Sequence, residues 1–185
     1  GVGSQACGET GAGRMLDPDT IAAAVFDLAV GKGEGLLTGR KVVITAGPTR
    51  EPIDPVRYIT NRSSGKMGYA VAEAALKAGA EVNLISGPTT LSPPRDVVLH
   101  QVRSADEMLS AVKRTTTDCD IFIGVAAVAD YRPSQTETSK IKKDAKQVTL
   151  ELIRNPDILS WVTSQENKPF TVGFAAETDS PLEHA

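Results

Sequence analysis

The sequence predicts a three-layer α/β fold, Rossmann-like and doubly wound around a mainly parallel sheet. Three observations predict it. Short runs that are almost continuously apolar, such as Val42-Val43-Ile44 and Val82–Ser86, end in small or turn-forming residues. Such runs are what strands buried on both faces look like. Helical stretches alternate with them, which is the order that builds parallel crossovers. Aromatics make up only 4% of the residues, so Val, Ile, Leu and Ala must build the core.

The 185 residues suffice for one ordinary domain and a short appendage. With 41% hydrophobic and 23% charged residues, the chain can bury a core. A net charge of −3 speaks against a nucleic-acid partner, which usually leaves a basic footprint. No apolar run approaches the roughly 20 residues that span a bilayer, so no membrane partner is expected. Cys7 and Cys119 cannot make a disulfide framework, and no Cys/His cluster has zinc spacing. The chain reads as reduced, cytoplasmic and without a signal peptide.

The elements follow in order. Gly1–Arg14 is Gly-rich and reads as a loop. Asp17-Pro18 opens a helix with an apolar face at Ile21, Ala24, Val25 and Leu28, and Gly31 ends it. Gly31–Gly39 is the linker candidate. Val42–Ile44 is the first strand and feeds Thr45-Ala46-Gly47-Pro48, from which a loop runs to Ser64. Gly65–Ala78 is an Ala-rich helix stopped by Gly79. Val82–Ser86 and Val97–Val102 are the next strands. Ser104 with Glu107 is a capping box that starts a helix. Asp120–Val128 is the most apolar strand. Arg132–Gln147 is polar and reads as a mobile excursion, and Val148–Ile153 alternates like a strand. Asn155-Pro156-Asp157 carries a cap, a proline at the first helical position and an acidic second position. Thr171–Ala176 is the last strand.

In a sheet of this kind ligands sit beyond the carboxyl ends of the strands, so the loops after Thr45, Ala127 and Phe174 are where chemistry is expected. Common nucleotide fingerprints are missing. Gly65-Lys66 is followed by Met67, and position 60 is Thr, so there is no P-loop. There is no G-x-G-x-x-G, and no carboxylate ends the second strand to hold a ribose, which counts against a dinucleotide-dependent reductase.

Two kinds of segment carry chemical information. Thr45–Pro52 and Arg57–Gly68 place a small-residue loop before a helix start rich in donors. Backbone amides at Ser64–Met67, two hydroxyls, and nearby Arg and Lys side chains suit an anion. Taken alone, Ser-Ser-Gly-Lys reads first as a capped helix with a solvated basic rim. The whole segment, dense in Gly, Pro and Asn, tilts towards a ligand loop.

Together with Gly124–Pro133, Lys140–Lys143, Asn155–Leu159 and Gly173–Thr178, in this order, these residues closely resemble the phosphopantothenoylcysteine synthetase family. That domain is found in bacterial bifunctional proteins of coenzyme A biosynthesis. The resemblance covers Arg40 to about Asp179. Gln5–Met15 is similar to the final segment of the phosphopantothenoylcysteine decarboxylase domain that precedes the synthetase in such proteins. The expected organisation is a decarboxylase tail over 1–30, a linker over 31–39 and a synthetase domain over 40–185, shortened at its C-terminus.

The resemblance implies a CTP-dependent ligase. The carboxylate of 4′-phosphopantothenate attacks the α-phosphate, pyrophosphate leaves, and the amine of cysteine attacks the resulting acyl-cytidylate. It implies Mg²⁺ with the nucleotide, through metal ligands that cannot be named from the sequence, and a homodimer for the full synthetase domain. Lys140 matches the lysine of acyl-cytidylate formation, although its run of lysines also reads as a solvated charge run. Asn61 matches the asparagine of the second step, although it also reads as a left-handed turn residue. Nucleotide-binding positions carried over are Ser63, Gly124, Val125, Ala126, Asp130, Lys140, Pro156, Asp157, Ile158, Leu159 and Phe174. Their plainer readings are a loop carboxylate at Asp130, close strand–helix packing at the small residues, helix capping at Pro156–Leu159 and core at Phe174. Cys7 matches the decarboxylase proton donor. FMN serves that domain in a parent protein and is not expected to bind this chain. A fragment that holds nucleotide without turnover is the alternative function.

Overall fold

The computed structural model describes residues 2–4, 10–12, 35–143 and 147–174, the first two segments by their backbone. The chain divides into two units, Gly1–Glu34 and Gly35–Ala185. In the first, strands β1 (Val2–Ser4) and β2 (Thr10–Ala12) pair antiparallel. The loop expected over Gly1–Arg14 therefore contains ladder-forming segments, which the glycine content concealed. Cys7 and the helix expected after Asp17 lie outside the described residues.

The second unit is built on a five-stranded parallel sheet. Its strands are β3 (Lys41–Ala46), β6 (Glu81–Ser86), β7 (Val98–Gln101), β8 (Ile121–Gly124) and β11 (Phe170–Gly173), in the spatial order β11-β8-β3-β6-β7. β3 is central, with Val42 opposite Val82 on one side and Ile121 on the other. Strand order reverses at β3, so the crevice beyond its carboxyl end is the topological switch point.

Both faces of the sheet are buried, which explains the nearly continuous apolar runs. Alternate residues of a strand face opposite sides. Val42 and Ile44 join Val82 and Leu84 under helix α1 (Lys66–Lys77), packed with Tyr69, Ala72 and Ala75. Val43, Ile85 and Phe122 pack on the other face with Met108, Ala111 and Val112 of helix α2 (Ala105–Thr115). Val162 of the short helix α3 (Ile158–Thr163) joins them. The result is the three-layer arrangement expected, without a large aromatic core.

α2 starts as its sequence suggests, with one change. The Ser104 hydroxyl accepts from the Glu107 amide at 3.2 Å, but the Glu107 carboxylate accepts from the Arg103 amide at 2.6 Å, one residue upstream of the cap. A third acceptor comes from outside the helix: Glu51, 1% exposed, accepts from the Ala105 amide at 3.0 Å. A carboxylate at a helix N-terminus is electrostatically favoured, which accounts for this buried acid.

Strands β4 (Arg50–Pro52) and β5 (Tyr58–Thr60) form an antiparallel ribbon inside the long loop after β3. Arg50 stacks 4.7 Å from the Tyr58 ring. β9 (Tyr131–Pro133) and β10 (Leu152–Arg154) form a second ribbon, with Tyr131 opposite Arg154. The excursion expected from Arg132 thus begins inside a strand. The strand expected over Val148–Ile153 pairs only from Leu152. Non-local pairing, not periodicity, decides both.

Part of the expected linker is also ordered. Leu36–Gly39 is a turn, and the Leu37 amide donates to Ala78 O at 2.9 Å. Among the described residues no helix is long and apolar enough to cross a membrane.

Candidate functional site

The carboxyl edge of the sheet carries a cavity of about 450 Å³ beside the end of β8. Its wall combines the ends of β3, β8 and β11, the loop after β8, the end of β10 and the start of α3. Of the residues named from sequence, Gly124, Ala126, Asp130, Pro156, Asp157, Ile158, Leu159 and Phe174 line it together. Phe174 is 52% exposed, so its reading as a core residue fails, whereas Ile158 belongs to the apolar core as well as to the wall. Val125 does not line this cavity; it packs with the α1 face of the core.

The loop after β8 is held from beneath. The Thr45 hydroxyl, 3% exposed, accepts from the Val125 and Ala126 amides at 3.2 and 3.3 Å. The Thr49 hydroxyl accepts from the Ala129 amide at 3.0 Å. Pro48 and Ala127 form an isolated parallel bridge. The strand read as continuous from Asp120 to Val128 therefore stops at Gly124 and goes on as a loop stitched to the chain after β3.

Asn155 is not the helix cap its position suggests. Its side chain donates to Ala129 O at 2.7 Å and accepts from Arg132 at 2.8 Å. Its amide donates to Asp130 O at 2.7 Å. It thereby fixes the stretch that carries Asp130 on the cavity wall. The cap is Asp157, which accepts from the Ser160 amide at 2.8 Å and from its hydroxyl at 2.7 Å. The amide bond, and then the hydroxyl bond, hold the Asp157 carboxyl below its usual range. Pro156 precedes the cap instead of following it.

Thr45, Tyr131, Arg154 and Asn155 line the cavity without having been singled out for it. Tyr131 and Arg154 arrive side by side only through the β9–β10 register. No local signal announces that pairing. Asn155 could have been suspected, because a cap followed by proline and then by a second good cap leaves one of them free.

The other sequence-named residues lie elsewhere. Asn61 donates to Val128 O at 2.9 Å and is not left-handed; Asp96 is the described non-glycine residue with positive φ. Asn61 ties the segment before α1 to the loop after β8. The cap of α1 is Gly65, at φ 77°, where an added Cβ would meet the Thr89 side chain at 2.7 Å. The amides expected to be open at this helix start are partly taken. Gly65 and Lys66 donate to the hydroxyls of Ser63 and Ser64 at 3.3 and 3.5 Å.

Lys140 is exposed and lines a second cavity of about 600 Å³ with Lys142, Glu137 and Glu151. The structure does not bring Lys140, Ser63 or Asn61 to the wall of the first cavity. Cys119 is half-buried and donates to Ile121 O at 3.0 Å, and burial pushes its thiol up. Among the described residues no group of three or more His, Cys, Asp and Glu could hold a metal ion.

Fold and cavity define a Rossmann-like α/β domain with a cavity at the sheet's carboxyl edge. Residues 37–185 match the family of the DNA/pantothenate metabolism flavoprotein C-terminal domain, and the chain belongs to that family. It is 52% identical over 181 residues to the coenzyme A biosynthesis bifunctional protein CoaBC of Vibrio vulnificus, covering 96% of this chain and 44% of the relative. It is 50% identical over 189 residues to CoaBC of Escherichia coli K12, covering 99% of this chain and 46% of the relative. The chain thus spans less than half the length of these curated relatives. The crystal structure of the C-terminal domain of a CoaBC matches with a TM-score of 0.71 at 50% identity, covering 80% of this chain and 70% of that one.

Proposed function

We propose that this chain carries the synthetase part of a phosphopantothenate–cysteine ligase acting in coenzyme A biosynthesis. Its nucleotide is CTP. A free carboxylate is a poor acyl donor because its leaving group would be oxide. The carboxylate oxygen of 4′-phosphopantothenate therefore attacks the α-phosphorus of CTP and pyrophosphate leaves. The cysteine amine then attacks the acyl carbon and CMP leaves, with the amine proton passing to solvent. The protein's tasks are orientation and charge neutralisation.

In this reading the first cavity receives the nucleoside, with Phe174 against the base and Asp130 at the rim. Ser63 donates to phosphate, Lys140 neutralises the charge that builds as pyrophosphate departs, and Asn61 serves the second step. Mg²⁺ enters with the triphosphate. The donor set of the described residues does not fit a protein-held metal. Residues 1–30 read as a decarboxylase tail, with Cys7 its proton donor and FMN its cofactor in a longer parent, and the full synthetase domain as a homodimer. The observation that carries the proposal is the convergence of Asp130, Pro156–Leu159 and Phe174 on one cavity, although they are spread over 45 positions of sequence.

The test is a titration of the chain with CTP, followed by addition of phosphopantothenate and then cysteine. Pyrophosphate release on the first addition and ligated product on the second are expected. CTP binding with no pyrophosphate would support the alternative, a binding fragment. One observation favours that alternative: Lys140 lines a different cavity from the one that gathers the nucleotide positions.

A further inference from the structure

The segment that carries Lys140 is polar and exposed from Gln135 to Lys140, so no apolar packing fixes its course. Hydrogen bonds to the β4–β5 ribbon do so instead. The Thr136 hydroxyl donates to Pro52 O at 3.1 Å, and the Glu137 amide donates to Ile53 O at 2.9 Å. Three residues farther on lies Lys140, and the next residue, Ile141, is held at both ends of its backbone. Its amide donates to Asp54 Oδ2 at 3.2 Å, and its carbonyl accepts from Arg57 at 3.1 Å.

Asp54 is the centre of this arrangement, and its side chain is 0% exposed. Oδ1 accepts from the Val56 and Arg57 amides, both at 2.9 Å, which closes a local turn. A turn needs no more than that. Oδ2 is spent otherwise: it takes both nitrogens of the Arg57 fork and the amide of a residue 87 positions away. The Arg57 fork, and after it the Val56, Ile141 and Arg57 amides, hold the carboxyl well below the usual carboxylate range, so it stays an acceptor at neutral pH.

We infer that Asp54 is a positioning residue: with Arg57 it clamps the Ile141 backbone and thereby fixes the root from which Lys140 reaches the phosphates. The inference rests on the role given to Lys140 above. A long side chain on a free segment would lose more conformational freedom on reaching its target than one on a fixed root. Arg57 neutralises Asp54, so the clamp places no uncompensated negative charge beside the lysine.

The test is Asp54→Asn, which keeps the shape but replaces one acceptor oxygen by a donor. The Ile141 amide should exchange with solvent at least tenfold faster than in the wild type. With CTP and phosphopantothenate, kcat for pyrophosphate release should fall at least tenfold while KM for CTP stays within twofold. Unchanged exchange overturns the clamp, as does unchanged kcat or a loss confined to KM. If Asp54→Asn does not fold, Ile141→Pro removes the clamped amide at the half-buried end of the exposed segment, and the same split between kcat and KM decides. Lys140→Gln keeps the two readings apart. Normal pyrophosphate release in Lys140→Gln overturns the role of Lys140 and the inference with it. Loss there without loss in the clamp variants overturns the inference alone. A wild-type chain that releases no pyrophosphate overturns the ligase reading, and amide exchange alone then decides on the clamp.

Discussion

Gly68 of α1 lies directly on Ala46 at the end of β3: a Cβ on Gly68 would sit 2.5 Å from the Ala46 Cβ and 3.0 Å from its Cα. Gly68 is buried in the layer between helix and sheet. The glycine in Lys-Met-Gly thus sets how closely the helix meets the central strand. Gly68→Ala should destabilise the domain by about 1–3 kcal/mol, the usual cost of overpacking. Urea denaturation should show the midpoint lowered with an unchanged slope. Equal stability of the two proteins would mean that the helix can rise from the sheet at no cost.

Asp157 caps α3, whose first turn forms part of the cavity wall. Asp157→Ala should cost about 1 kcal/mol, the ordinary value of a cap. The pH dependence has a definite sign. The folded-state value is lowered, so the carboxylate's contribution is fully present above the unfolded value of about 3.9 and is lost as pH falls through the folded value. The stability gap between wild type and variant should stay constant from pH 7 to about pH 5 and close under more acidic conditions. Denaturation curves at several pH values check this. A gap that widened on acidification would reverse the assignment.

Asn61→Asp exchanges a donor for an acceptor facing Val128 O. If Asn61 serves the attack of the cysteine amine, pyrophosphate release should persist while ligated product falls by at least tenfold. The acyl-cytidylate should then accumulate and be visible by mass spectrometry after a rapid quench. Product formation at the wild-type rate would remove Asn61 from the second step.

Lys140→Gln should leave the affinity for CTP within about threefold, because the residue lies outside the cavity that gathers the positions proposed for the nucleotide. Pyrophosphate release should nevertheless be lost. Calorimetric titration and a coupled pyrophosphate assay separate the two effects. A large loss of CTP affinity would mean that the two cavities act as one.

The sheet was largely legible because its strands are buried on both faces. Val42–Ile44 is a continuous apolar run and Val82–Ser86 nearly one, and the turn residues after them marked the edge where the cavity lies. The α1 helix was legible from its alanines and Gly79. The ribbons were not. Tyr131–Pro133 and Leu152–Arg154 are short, half-exposed and paired across a long polar stretch, so neither periodicity nor composition distinguishes them. The site divided along the same line. Small residues at a strand end could be read directly, whereas the cap beside Pro156 reads from sequence as Asn155 and is Asp157 in the fold. Thr45 under Val125, Asn155 under Ala129 and Asp54 under Ile141 are contacts between segments about 26 to 87 positions apart, and only the fold reveals them. Ser63 and Ser64 illustrate a further limit: hydroxyls that suit a ligand also suit their own backbone amides.

The place of β3 in the sheet also governs how the chain is made. Its partner across the Val42–Ile121 pairing is 79 residues farther along. At a synthesis rate of about 5–20 residues per second, the gap lasts roughly 4–16 s. During that time the strand that will lie at the heart of the sheet has one edge with nothing to pair. Exposed strand edges on incomplete chains invite association with other chains. The demand on chaperones should therefore peak before Ile121–Gly124 is available, and slow codons placed between β7 and β8 should lower the soluble yield more than the same codons placed after β11.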